Sequence, residues 1–179
     1  STWRAICGGG RPFAPLTVLE QRPGTCKGGA EAAALPTPGG SDEPREVVYL
    51  RHALHEALRE AGIEEELPYA AQRCGIVLGT TLHGMRAAGR YFREGRPGAL
   101  RRFQAAAVLE QVAAGLSIEG AALTTCAACS SGLSSIGLAL TLLRSGEADL
   151  VIAGGYDTIS EYAYGGFNAL RLIADGPGR

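Results

Sequence analysis

Two thiols three residues apart, Cys126 and Cys129, stand in the one stretch of this chain where residue type, spacing and local pattern all point to chemistry. The stretch reads Leu123-Thr124-Thr125-Cys126-Ala127-Ala128-Cys129-Ser130-Ser131-Gly132, a β-prone run that stops at small residues and gives way to a helical pattern. A strand, tight turn and helix of this kind put Cys129 at a helix N-terminus, where unpaired backbone N–H groups and the positive end of the dipole favour an anion. The same N–H groups would hold the oxyanion of a thioester under attack. Ala127, Ala128, Ser130 and Gly132 are small enough to let a substrate carbonyl approach. A second chemistry is open at the same residues, because Cys126-Ala-Ala-Cys129 is also a C-x-x-C pair of the kind that cycles as a redox dithiol. In such dithiols the first cysteine occupies the helix start, whereas here the second does. His52 and His55, three apart on a helix, have a spacing that can bind metal, but among Arg51, Glu56, Arg59 and Glu60 they read as a solvated face. A zinc site at the two cysteines needs a further ligand pair at suitable spacing, and none is present, so no metal or cofactor is expected. Cys7 and Cys26 read as incidental thiols.

The elements that must position Cys129 follow from periodicity. Leu133, Ile136, Leu140 and Leu143 recur at three and four residues, the spacing of a buried stripe on a helix over 131–145. Ser145-Gly146 ends that helix, and Asp149-Leu-Val-Ile-Ala153 reads as a buried strand over 148–154. With a strand over 120–126, this succession predicts a parallel pair joined by a right-handed crossover. Gly154-Gly155 allow a close approach of backbone or ligand where the strand ends. Another short apolar run predicts a buried strand over 74–79, followed by the loop Thr80-Thr-Leu-His-Gly84. Helices are expected over 45–62, where Val47, Leu50, Leu54, Leu58 and Ala61 share a face, and over 103–114. Ser41 or Asp42 is the expected cap of the first, with Pro44 in its first turn. Residues 1–44, rich in Gly and Pro, read as mostly loop.

Composition narrows the function classes. The chain has 179 residues, 46% apolar and 20% charged, enough for one domain with a real core. Net charge is −1 and the only evident basic cluster is Arg101-Arg102, which argues against a nucleic-acid surface. No apolar run is long enough to span a membrane, and no basic-then-apolar leader is present, so a cytoplasmic protein is expected. Five irregularly spaced cysteines suit reduced thiols better than a disulfide framework. A start at Ser1 without methionine fits a fragment or a processed product.

The motifs also carry a resemblance. Thr125-Cys126-Ala127-Ala128-Cys129-Ser130-Ser131-Gly132 resembles the nucleophile motif of β-ketoacyl synthases, the condensing enzymes of fatty-acid and polyketide synthesis, where Thr-Ala-Cys-Ser/Thr-Ser is usual. Gly146-Glu-Ala-Asp149-Leu-Val-Ile-Ala-Gly-Gly155 and Gly165-Gly-Phe167-Asn-Ala-Leu-Arg171 resemble the same family in the expected order. The likeness covers nearly the whole chain but only about the first half of a complete synthase. It implies a thiolase-like α/β fold, a mostly parallel sheet covered by helices, here the N-terminal half of a two-half fold. It also implies that the first strand, which precedes the position of Trp3-Arg-Ala-Ile-Cys-Gly8, is missing.

For function, the resemblance makes Cys129 the acylated nucleophile and its backbone N–H an oxyanion donor, with Leu82 and Phe167 lining the acyl pocket. The acyl chain would arrive on the phosphopantetheine arm of acyl carrier protein, without a further cofactor. The family's two histidines and lysine lie in the second half, and His52, His55 and His83 match none of them, so the chain alone is expected to be inactive in condensation. A homodimer is implied, with the strand at 120–126 edge to edge with its mate, or a heterodimer with a chain-length factor. Ala121, Ala122 and Ala127 depart from the family's usual Pro-Ser and Thr, removing local hydrogen bonds or rigidity but not the nucleophile. Besides the redox dithiol, a non-catalytic partner subunit is the remaining alternative, although such subunits typically replace the nucleophile.

Overall fold

The structure, a computed structural model, describes residues 7–9, 13–19, 28–32, 43–63 and 66–173. Its residues fall into two compact units, 1–34 with 159–179, and 35–158. Expectations for Trp3 to Ile6, Cys26, Ser41 and Asp42 lie outside the described residues.

The second unit is built on a three-stranded parallel sheet. Strand β3 (Cys74–Gly79) is central, flanked by β4 (Ala122–Thr125) and β5 (Leu150–Gly155). All six residues of β3 are buried, as an apolar run between turn signals requires when helices cover both faces of a sheet. Alternation along the strand divides the core. Ile76 and Leu78 face Val47 and Leu54 of helix α1 (Arg45–Glu60) and Val108, Leu109 and Val112 of helix α4 (Ala105–Ala113). Val77 faces the other way, onto Ala139 and Leu142 of helix α5 (Ser131–Arg144). Arg73 and Asp149 clamp the starts of β3 and β5 together through Nε–Oδ2 and Nη2–Oδ1 bonds of 2.8 and 2.6 Å.

Three expectations change. First, β4 and β5 are parallel but do not pair with each other, because β3 lies between them. Second, the helix expected over 103–114 starts only at Ala105, since Gln104 is extended (φ −68°, ψ 133°), and two further helices precede it, α2 (Met85–Glu94) and α3 (Pro97–Phe103). Third, the leucine and isoleucine stripe of α5 is not buried: Leu133, Ile136, Leu140 and Leu143 are 72, 53, 44 and 40% exposed. The helix instead turns Ser131, Ser135, Ala139 and Leu142 to the sheet. Ser131, Ser135 and Ala139 are small enough to let the backbones come close, and the Ser135 hydroxyl donates to the Gly154 carbonyl at 2.7 Å.

Helices α2 and α3 bring together arginines that are scattered in sequence. Arg86, Arg90 and Arg102 all act on Glu46, a carboxylate only 3% exposed in the first turn of α1. Burial nevertheless outweighs them and pushes the Glu46 carboxyl above its usual range.

In the first unit, β1 (Phe13–Ala14) and β2 (Gly29–Ala30) form a short antiparallel ladder. Helix α6 (Glu161–Ala169) is capped by the Ser160 hydroxyl, which accepts from the Ala163 N–H at 3.2 Å. Leu16, Leu19 and Tyr164 form its core.

Candidate active site

The parallel strands β3, β4 and β5 all end at the same edge of the sheet, where the loops of an α/β unit collect functional groups. β4 stops at Thr125, and the chain passes through Ala127 (φ −132°, ψ 44°) into a 3-10 turn over Ala128–Ser130 that leads directly into α5. Ala128 is left-handed (φ 49°), a conformation that costs a residue bearing a Cβ about 1–2 kcal/mol. Cys129 follows it at the crest of this elbow and is exposed.

Hydroxyls hold the elbow. Ser131 Oγ accepts from the Ala127 N–H at 2.9 Å and donates to the Ala128 carbonyl at 2.6 Å. Thr81 Oγ1 donates to the same carbonyl at 2.6 Å. Thr125 Oγ1 donates to the Ser131 carbonyl at 3.1 Å, and Ser130 Oγ to the Ala127 carbonyl at 2.7 Å. Two glycines allow the helix start to approach the strand ends. A Cβ on Gly79 would lie 2.1 Å from the Ser131 carbonyl oxygen, and one on Gly155 would lie 3.0 Å from Gly132 Cα.

Beside the elbow is an open cleft of about 250 Å³ lined by Gly79, Ala128, Cys129, Ser131, Gly132, Gly155, Tyr156 and Asp157. Asp157 accepts from the Thr80 hydroxyl and from the N–H groups of Thr81 and Leu82. Tyr156 also reaches into the core of the α1 and α4 face, and its hydroxyl is buried with no hydrogen-bond partner among the described residues. Burial pushes its phenol up to about 12. Thr80, nearby, has its hydroxyl committed to Asp157 and does not meet the phenol with hydrogen-bonding geometry.

Of the residues singled out from sequence, Cys129 lines this cleft together with its small neighbours Ala128 and Gly132 and with Gly155 at the strand end. Leu82 contributes its backbone N–H to Asp157 but is not among the lining residues. Phe167 belongs to α6 of the first unit and is 54% exposed. Cys126 falls within the strand expected over 120–126, but the ladder ends one residue earlier and its free thiol is exposed. His52 and His55 lie exposed on α1, with His52 Nε2 3.8 Å from Glu56, and His83 meets Phe103 edge to face. No group of three or more potential metal-ligating side chains occurs among the described residues. Sequence pattern assigns no role at the site to Asp157, Thr81 or Ser131. Their signal was positional: Thr80-Thr81 and Asp157 immediately follow strands at the functional edge.

Comparison with known proteins agrees with this architecture. The family model for the β-ketoacyl synthase N-terminal domain matches residues 44–179. Among solved structures, a β-ketoacyl synthase from Burkholderia phymatum STM815 superposes with a TM-score of 0.73 at 19% identity, over 97% of this chain and 46% of that one. The ishigamide ketosynthase/chain length factor gives 0.74 at 23% identity, over 93% and 45%. The ketosynthase from module 6 of the bacillaene synthase of Bacillus subtilis 168 gives 0.54 at 19%, over 70% and 21%. The chain thus spans a little under half the length of the first two. The shared fold is thiolase-like, and with most of its residues matched by the family model the chain belongs to the β-ketoacyl synthase family, in the part that forms the N-terminal domain.

Proposed function

We propose that this chain supplies the nucleophile of a β-ketoacyl synthase, with Cys129 as the acylated residue. The observation that carries the reading is an exposed thiol presented on a left-handed elbow, at a helix start and beside an open cleft. Sγ of Cys129, as thiolate, attacks the carbonyl of an acyl thioester carried on the phosphopantetheine of acyl carrier protein. The new S–C bond forms as the carrier's C–S bond breaks, and the departing carrier thiolate takes up from solvent the equivalent of the proton that the Cys129 thiol released to it. The Cys129 N–H faces the developing oxyanion. In the following step malonyl thioester loses CO₂, its enolate attacks the acyl group, and Cys129 leaves as thiolate. None of His52, His55 and His83 lines the cleft, and in this reading a histidine-bearing second half supplies the groups that stabilise the enolate, without which the chain does not condense.

The exposed apolar face of α5 is where a histidine-bearing half would pack, and the exposed edge strand β4 is where a twofold mate or chain-length factor would pair. The reading places the protein in fatty-acid or polyketide synthesis in the cytoplasm. Among the described residues no helix is long and apolar enough to cross a membrane.

Peptide mapping after treatment with an acyl-N-acetylcysteamine thioester tests the assignment. Cys129 is expected to be acylated, Cys129→Ala to abolish the modification, and Cys126→Ala to leave it. Cys74 is fully buried, and burial, with the nearby Asp149 carboxylate, pushes its thiol up, so it stays unlabelled and reports unfolding. Because Cys126 is also exposed, the dithiol chemistry makes its own demand: preferential labelling of Cys126, or a reversible Cys126–Cys129 disulfide at cytosolic potentials, would overturn the synthase assignment.

A further inference from the structure

We propose that Asp157 is the positioning residue for the oxyanion donor at Cys129, acting through Thr81; the inference rests on the acyl-transfer reading given above. Asp157 follows β5 by two residues, and its carboxylate gathers three donors from three consecutive residues. Oδ1 accepts from Thr80 Oγ1 at 2.9 Å, the Thr81 N–H at 3.0 Å and the Leu82 N–H at 2.7 Å. Thr80 Oγ1 in turn accepts from the N–H of His83, itself left-handed at φ 49°. The loop after β3 is therefore wound around one carboxylate, with charge-assisted bonds that are roughly twice as strong as neutral ones.

That winding sets the position of Thr81, whose hydroxyl donates to the Ala128 carbonyl. The Ala128 carbonyl and the Cys129 N–H belong to the same peptide group. Because a trans peptide is planar, with C=O and N–H pointing in opposite directions, fixing the carbonyl fixes where the N–H aims. Two hydroxyls, Thr81 Oγ1 and Ser131 Oγ, hold that carbonyl at 2.6 Å each, and they also polarise the peptide so that its N–H donates more strongly. Ser131 belongs to the elbow's own helix and moves with it. Thr81 reaches across from another strand end, so it ties the peptide plane to the sheet. The route from Asp157 to the oxyanion donor is complete: carboxylate, loop, Thr81 hydroxyl, Ala128 carbonyl, Cys129 N–H. Asp157 also lines the cleft, and this route is its link to the oxyanion donor.

The test separates positioning from support of the fold by comparing two reactions of one thiol. Iodoacetamide alkylation needs only an accessible Cys129, whereas acyl transfer from an acyl-N-acetylcysteamine thioester also needs the aimed N–H. In Thr81→Val and Asp157→Ala, the acylation-to-alkylation ratio at Cys129 is expected to fall at least about 10-fold, as misplacement of a catalytic group does. Thr81→Ser keeps the hydroxyl and Asp157→Asn keeps an acceptor oxygen, so both are expected to stay within about threefold of the parent chain. Cys74 labelling identifies any variant that has unfolded; if Asp157→Ala does, Thr81→Val, which leaves the Asp157 bonds to the loop backbone intact, decides. An acylated parent chain with an unchanged ratio in Thr81→Val overturns the positioning role and leaves the acyl-transfer reading standing. Equal losses in Thr81→Ser and Thr81→Val overturn it too. A parent chain alkylated at Cys129 but never acylated overturns the acyl-transfer reading, and the inference falls with it.

Discussion

Replacing Gly79 by alanine probes the joint on which the elbow rests. A Cβ there would lie 2.1 Å from the Ser131 carbonyl oxygen, 2.3 Å from its carbon and 2.7 Å from the Gly132 nitrogen. Ordinary carbon contacts begin near ~3.4 Å, and all three obstructing atoms are backbone, so no side chain can rotate away and the start of α5 must retreat by about 1 Å. Overpacking of this kind costs ~1–3 kcal/mol. The retreat also stretches the bond from Thr125 Oγ1 to the Ser131 carbonyl, worth about 1 kcal/mol. A total near 3 kcal/mol is a large share of the ~5–15 kcal/mol that holds a typical domain together. Function should suffer further, because a shift of about 1 Å in a reacting group can cost ~100-fold in rate. Urea denaturation measures the first effect, and acyl transfer to Cys129, relative to its alkylation, measures the second. A Gly79→Ala chain with unchanged midpoint and unchanged acylation would refute the close-approach argument, since the backbone would then have room that the geometry denies it.

Three further expectations use the same unfolding measurement. Gly137 lies within α5 with nothing within 4 Å of a prospective Cβ, so Gly137→Ala should stabilise the chain by about 0.5–1 kcal/mol; a loss would mean that this face is not open. Tyr156→Phe removes a buried hydroxyl that has no partner among the described residues and should raise stability by about 1 kcal/mol, whereas a decrease would show that the hydroxyl is satisfied. Burial raises the Glu46 carboxyl, so the folded state holds that proton more tightly than the unfolded state does. Its contribution is therefore fully present below about pH 4.5 and is lost as pH rises through the raised folded value. Glu46→Gln should flatten that decline in stability, and an unchanged pH profile would remove Glu46 as its source.

The sequence by itself determined where Cys129 sits, the three strands of the parallel sheet and the α/β class. An apolar run at 74–79 between turn signals has few ways to satisfy its backbone other than a buried strand, and the β-prone run ending at Cys126-Ala-Ala-Cys129 before a helical period leaves Cys129 little choice but the helix start. Spacing of this kind is local, and local geometry suffices to read it. What only the tertiary structure decided is which surfaces meet. Periodicity marked Leu133, Ile136, Leu140 and Leu143 as one face of α5, but the helix packs through Ser131, Ser135, Ala139 and Leu142, because the close approach of its start to Gly79 and Gly155 demands small residues there. The strand order was equally hidden, since β3 enters between two strands that follow it in the chain. The hold of Asp157 on Thr81 and Leu82 joins residues 76 and 75 positions apart. No spacing rule reaches that far; only the parallel packing of β3 against β5 brings their ends, and with them the carboxylate and the elbow, to one edge of the sheet.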